Sequence, residues 1–281
     1  MNSSTTTSGL LGDTATRDYS RKLKLFNAFA APELRQAIAS LALKPGMRVL
    51  DAGCGTGEAL GWLSAEVAPE GAVVGIDLAA AHVSAARAIT PKDCALVVQA
   101  NLVDAPLLPA SFDLAWSVNV INHLRSPLAG IDALITLLRP GGRIALCQSS
   151  LLPDMYFAWD SRLERLVNEA VRQYYRDRYQ LDERDLTAVR AIAGLLRKAG
   201  LRDVHARTFM IERMSPVRPE DEDYLVEAIF RDTWGTRLQP YLSSSDYEEL
   251  IRLCDPLHPD FAPRRADFHF LQSFTLVVGE I

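Results

Sequence analysis

The chain has 281 residues, 48% of them apolar, and its 30 lysines and arginines against 35 aspartates and glutamates give a formal net charge of −5. That length supports a full hydrophobic core. The lack of a basic excess argues against a nucleic-acid partner, and no apolar run reaches the ~18 residues of a membrane-spanning helix.

Residues 1–16 are mostly Ser, Thr and Gly and read as a disordered tail, neither basic nor apolar enough for a secretory leader. A helical cap is expected over 17–44, with Leu23, Phe26, Phe29, Leu34, Ile38 and Leu41 at helical spacing and Pro32 dividing it into two short helices. Strands at 48–52, 73–77, 95–100, 112–118 and 143–149 then alternate with helices at 58–68, 80–89 and 127–138. The strands are continuous apolar runs, as in a parallel sheet covered on both faces, so the expected fold is a doubly wound α/β sheet. Beyond residue 150 the pattern changes to an amphipathic helix over 160–180, a helix at 183–199 closed by Gly200, and strands at 203–213 and 270–278. More than fifty residues separate those last strands, with helices near 221–233 and 246–254, the second opened by a capping box from Ser245 to Glu248. The domain expected over 45–281 therefore carries lid insertions at about 151–181 and 215–267. These cover the ligand edge of the sheet, form an oligomer interface as in a homodimer, or do both. The four cysteines, Cys54, Cys94, Cys147 and Cys254, have neither zinc nor redox spacing. They read as buried thiols of a reducing, cytoplasmic compartment, and no metal set is expected.

The chemistry concentrates where the first strand ends. Val49-Leu50-Asp51-Ala52-Gly53-Cys54-Gly55-Thr56-Gly57 runs an apolar strand into a turn with glycine at alternate positions, and Val73-Val74-Gly75-Ile76-Asp77 ends the second strand on an acid. Main chain without side chains beside two carboxylates suits a nucleoside with free ribose hydroxyls. A dinucleotide fingerprint would place its last glycine where this chain has Glu58, and an acid opening that helix repels a pyrophosphate but not a cationic ligand.

The segment resembles motif I of the class I S-adenosylmethionine (SAM) methyltransferases, Asp-x-Gly-x-Gly-x-Gly, at Asp51, Gly53, Gly55 and Gly57. Over residues 45–148 the chain is most similar to ubiquinone/menaquinone C-methyltransferase-like small-molecule enzymes. Gln99–Leu102 resembles the stretch that holds adenine, with Asn101 where members usually carry an acid; Pro109–Leu114 resembles the entry to strand four, Ser117–His123 the loop after it and Leu138–Arg143 the turn before strand five. The resemblance implies a Rossmann-like, mostly parallel seven-stranded sheet with an antiparallel last strand, and SAM as cofactor. It assigns to the cofactor Asp51, Gly53, Gly55, Gly57, Asp77, Leu78, Asn101, Leu102, Ser117 and Tyr19, with Asp77 accepting the ribose hydroxyls and Asp51 orienting the glycine loop and the methionine ammonium. Several have a simpler alternative: turn geometry alone for the glycines, a helix cap for Asp77, a structural role for Asp51, a core aromatic for Tyr19.

Methyl transfer is an in-line displacement that depends mostly on orientation. A hydroxyl acceptor also needs a base, for which His123 is the candidate, the alternative being a structural hydrogen-bonding histidine. Asn119 and Asn122 are placed to orient a polar acceptor. The chain reads Ser117-Val118-Asn119-Val120 where adenine N-methyltransferases carry Asn-Pro-Pro-Tyr, which argues against nucleic-acid adenine. Tyr156, Phe157, Trp159, Tyr174, Tyr175, Trp234 and Tyr241 in the insertions suit an apolar or aromatic acceptor, natural-product or quinone-like, with ordinary helix core as the competing reading of Tyr174 and Tyr175. The alternative function is a SAM-binding protein without methyl transfer, cyclase-type or regulatory.

Overall fold

The computed structural model describes residues 18–91, 93, 95–149, 156–157, 160–179 and 188–281. The expected tail, the start of the helix expected at 183, Cys94 and Trp159 lie outside them, as do the side chains of Asn122, Tyr156 and Phe157. Strands β1 (Arg48–Ala52), β2 (Ala72–Asp77), β3 (Ala95–Gln99), β4 (Phe112–Val118) and β5 (Leu138–Ser149) are mutually parallel in the order β3-β2-β1-β4-β5. A two-residue β6 (Tyr156–Phe157), β7 (Arg202–Met214) and β8 (His269–Glu280) complete the sheet. The last strand, β8, lies antiparallel between β5 and β7, pairing Ser149 with Phe274 on one side and Met214 with His269 on the other, while β6 extends the β5 side of β8. Seven long strands with an antiparallel last one are the class I methyltransferase arrangement expected from the sequence.

Helices cover both faces. α4 (Pro127–Leu137) and α6 (Ala188–Lys198) bury Ile131, Leu134, Ile192 and Leu196 against one face. α1 (Ser20–Ser40), α2 (Glu58–Val67), α3 (Ala80–Ile89) and α5 (Ser161–Tyr179) bury Phe29, Leu34, Leu60, Val83 and Val167 in the core of the other. The same core takes in α7 (Pro219–Asp223), a π-helical stretch (Tyr224–Trp234) and α8 (Ser244–Cys254) through Tyr224, Ile229, Phe230, Trp234 and Leu250. Cys54, Cys147 and Cys254 are buried free thiols, and desolvation pushes their pKa values up, which keeps them protonated.

Four local expectations are corrected. Pro32 does not divide the first helix, which runs unbroken from Ser20 to Ser40. Proline removes one backbone donor, but Phe29, Ala30, Leu34, Ala37 and Ile38 remain buried along the helix. Arg213 from β7 donates to the Phe29 carbonyl and, at 2.8 Å, to Glu33, bracketing the proline. The turn expected at 138–143 is instead the irregular start of β5, where Phe112 pairs with Leu138, the register shifts before Leu114, and Gly141 takes φ 77°. The cap of α8 is Ser243 rather than Ser245: its Oγ accepts from the Asp246 amide at 3.2 Å and donates to the Asp246 carboxylate at 2.6 Å. The helix expected near 221–233 is α-helical only to Asp223, then widens, with the Thr233 hydroxyl donating to the Ala228 carbonyl at 2.7 Å.

Candidate functional site

A cavity of about 930 Å³ opens at the carboxyl ends of β1, β2 and β4, the topological switch point of the sheet. It lies at the upper end of the ~300–1,000 Å³ typical of ligand pockets, room enough for two small molecules. Its walls come from the loops after those strands, from α1, from the C-terminal half of α5 and from the π-helical stretch.

The glycine turn after β1 has Gly53, Gly55 and Gly57 at φ 81°, 52° and 91°, a region that L side chains rarely adopt. The three glycines serve different purposes. A Cβ on Gly53 would lie 2.2 Å from Cγ2 of Val120, so its absence lets the loops after β1 and β4 approach. A Cβ on Gly55 would reach 3.2 Å from Leu23 of α1, in the gap between turn and cap helix. On Gly57 it would meet the Ala86 side chain at 2.8 Å, so this glycine seats α2 against α3 and does not line the cavity.

Asp77 is heavily committed. Its Oδ2 accepts from the Gly55 amide at 2.9 Å, and its Oδ1 accepts from the Ala79 amide at 2.9 Å and faces His82 Nδ1 at 3.1 Å. Of about four acceptor directions on a carboxylate, three are used and one remains on Oδ2. His82 Nε2 accepts from the Tyr19 amide at 3.1 Å, so the imidazole proton sits on Nδ1 and is donated to Asp77. His82 therefore ties the start of α1 to the acid at the end of β2. The sequence reading missed it, although a histidine five residues past Asp77, in the first turn of α3, is placed to face back to the strand end.

Asp51 is buried below the glycine turn rather than lining the cavity, and its Oδ2 has no hydrogen-bond partner among the described residues. Burial, with the Asp77 and then the Glu58 carboxylates adding to it, pushes its pKa up to about 8. Glu58 is no freely solvated acid: it accepts from Asn27 and from the Thr56 hydroxyl, both at 2.6 Å. Ser117 also stays off the cavity, its hydroxyl donating to the Ala52 carbonyl at 2.7 Å just before the turn.

Tyr19, Leu78, Asn101, Leu102, Asn119 and His123 all line the cavity. Asn101 Oδ1 accepts from the Val103 amide at 3.2 Å and caps a short 3-10 turn. Asn119 takes φ 57° at the end of β4, and its Oδ1 accepts from Gln148 Nε2 at 2.9 Å and the Ser149 amide at 2.7 Å. Those bonds offset the left-handed backbone and fix the loop that carries His123. The network was not legible beforehand, because Gln148 and Ser149 meet Asn119 only through the β4–β5 pairing. His258 and His269 face Asp260 and Glu212 and are not among the cavity residues. Among the described residues no group of three or more His, Cys, Asp or Glu could hold a metal, and no helix is long and apolar enough to cross a membrane.

The fold and this crevice define a doubly wound domain built for an adenosine-bearing ligand. The methyltransferase domain family matches residues 26–206, more than half of the chain, and the protein belongs to that family. Among curated proteins the chain is 30% identical over 123 residues to a demethylmenaquinone methyltransferase of Symbiobacterium thermophilum, covering 41% of this chain and 48% of that protein. It is also 30% identical over 173 residues to an S-adenosyl-L-methionine-dependent Diels-Alderase of Talaromyces variabilis, covering 59% of this chain and 57% of that protein. The chain thus spans about half the length of the curated relatives it matches. In structure it resembles a chain of the Haloferax volcanii complex containing the Trm112 methyltransferase activator, at TM-score 0.56 and 18% identity over 94% of this chain and 98% of that one, a likeness of fold. The family's cofactor is SAM, and the residues present fit it. The turn is kept clear of side chains by glycines whose Cβ atoms would fill it, Asp77 keeps one acceptor direction at the cavity, and beneath the turn the buried Asp51 Oδ2 has no partner among the described residues.

Proposed function

We propose that the protein is a SAM-dependent methyltransferase acting on a small-molecule acceptor, apolar or aromatic and natural-product or quinone-like in character, with no nucleic acid as partner. The observation that carries this reading is the Gly55–Asp77–His82–Tyr19 chain of hydrogen bonds, which joins the glycine turn, the strand-end acid and the cap helix at one crevice. Asp77 would accept a ribose hydroxyl on Oδ2 while the His82 proton holds Oδ1. Gly53 and Gly55 leave main chain open to the cofactor; Leu78, Asn101 and Leu102 would flank its adenine, and Tyr19 would close over it. Asp51 would act through the turn, its carboxylate drawn into the ionised form by the methionine ammonium. Gly57 and Ser117 are assigned to shaping that turn.

Bound SAM supplies an electrophilic methyl on a sulfonium. The protein's task is to align the acceptor with it and exclude water, a gain of roughly 7–11 kcal/mol for well-oriented pairs. Residues 151–181 and 215–267 would serve as lids, with α5 and the π-helical stretch walling the cavity. For a hydroxyl acceptor, an imidazole nitrogen of His123 would take the proton. A pair of copies meeting through these insertions and a cytoplasmic setting are further parts of this proposal.

A second reading, a SAM-binding catalyst that does not transfer methyl, is favoured by the similarity to the Diels-Alderase, which spans 173 residues. Incubation with SAM and a panel of phenols, quinols and enols, following S-adenosylhomocysteine, separates the two. Turnover with any acceptor supports the first. Tight binding with no turnover across the panel supports the second, and absence of binding refutes both.

A further inference from the structure

Resting on the cofactor reading above, we propose that the wall made by α5 and the π-helical stretch is a subsite for an aromatic carboxylate: ring among tyrosines, charge at a basic rim. Tyr174, Tyr175 and Tyr179 line the cavity, Tyr174 meeting Tyr175 edge-on at 5.6 Å between ring centres and Tyr175 lying 5.5 Å from Tyr179. Burial among these neighbours pushes the Tyr175 phenol up, so it stays a neutral hydroxyl and adds no negative charge. Such rings accept a flat, apolar ligand face.

The cations beside them outnumber the acids among the described residues. Arg178 lies over the Tyr179 ring at 5.7 Å and Arg237 over the Tyr174 ring at 5.7 Å, and both line the cavity together with Lys22. Asp232 is shared between Lys22, at 2.8 Å, and Arg237, at 3.1 Å. Among the described residues Arg178 has no carboxylate partner. Among the described residues lining this rim, three cations surround one carboxylate, an excess of two positive charges, whereas the cofactor end holds Asp77 and Asp18. Lys22, Asp232 and Arg237 are each about two-fifths exposed, so the charge sits toward solvent. A ligand that places its ring inward and its carboxylate outward satisfies both features, and the planar guanidinium matches a carboxylate's two oxygens. A purely apolar acceptor would leave those cations against hydrocarbon.

The cofactor's own carboxylate is the other anion within reach, since Lys22 precedes the Leu23 that faces Gly55. Calorimetry separates the two. Protein is first titrated with S-adenosylhomocysteine, then the loaded protein with 2-naphthoate and with the neutral 2-naphthalenemethanol. The expected result is at least tenfold tighter binding of naphthoate. Arg178→Gln with Arg237→Gln should abolish that preference and leave S-adenosylhomocysteine affinity within twofold, whereas Asp232→Asn should tighten naphthoate, a gain that a damaged fold cannot produce. Equal affinity of the two probes for the loaded wild-type protein overturns the subsite alone. Loss of S-adenosylhomocysteine affinity in the arginine variant assigns the rim to the cofactor carboxylate and also overturns it. No heat with S-adenosylhomocysteine overturns the cofactor reading and the subsite together.

Discussion

Replacing Asp51 by asparagine keeps the shape of the side chain and removes its titration. The carboxyl is 2% exposed, and its pKa stands at about 8 against an ordinary 3.8. At pH 7 about nine-tenths of folded molecules therefore hold this proton, while the unfolded chain has lost it. Because the folded value is the higher, the folded state binds more protons between about pH 4 and pH 8, so this group lowers stability as pH rises through that window, by about 1.4 kcal/mol per pH unit. The sum reaches about 4 kcal/mol by pH 7, an upper bound that structural relaxation reduces. Acids held below their usual range by arginine, Asp246 by Arg162 and Asp267 by Arg265, contribute the opposite slope at lower pH and cancel between the two proteins. Urea denaturation at several values from about pH 5 to about pH 8 should show Asp51→Asn gaining on the wild type by at least about 1 kcal/mol per pH unit. A stability difference independent of pH would refute the perturbed carboxyl. If the methionine ammonium compensates Asp51, wild-type protein should also release a proton on binding S-adenosylmethionine at neutral pH, read from calorimetry in buffers of different ionisation heat, and Asp51→Asn should not.

Asp77→Ala removes the acceptor of the Gly55 and Ala79 amides and should weaken S-adenosylhomocysteine binding by more than about 1 kcal/mol; unchanged calorimetric affinity would reduce Asp77 to a cap for α3. Gly53→Ala places a methyl 2.2 Å from Val120 at φ 81°, and denaturation should register a loss of about 1–3 kcal/mol together with loss of binding. His82→Ala should speed hydrogen exchange at the first turn of α1 roughly tenfold, equivalent to about 1.4 kcal/mol of opening free energy; unaltered exchange would mean that the Tyr19 contact does not hold the cap. Ser243→Ala should cost about 1 kcal/mol by loss of the α8 cap, measured in urea, whereas Ser245→Ala should cost little.

The sequence alone determined the sheet's parallel half and its ligand edge. β1 at 48–52 and β4 at 112–118 were read to the residue, because continuous apolar runs between turn residues leave few alternatives for a doubly wound sheet. Motif I and the acid ending the second apolar run placed Gly53, Gly55 and Asp77 together because each lies within three residues of a strand end, and parallel strands bring their carboxyl ends to one side. Tertiary structure decided what needs partners distant in the chain. Arg213 holds α1 across Pro32 from 180 residues beyond Glu33, which no local proline rule can anticipate. Gly57 proved a packing glycine because Ala86 of α3 stands where its Cβ would be, and Ser117 was taken by the Ala52 carbonyl. His82 gained its place from the turn that folds α3 back on β2, and the basic, tyrosine-lined wall from α5 meeting residues some sixty positions later. Periodicity reports which face of an element is apolar; which charges and rings meet across a cavity depends on how those faces are packed.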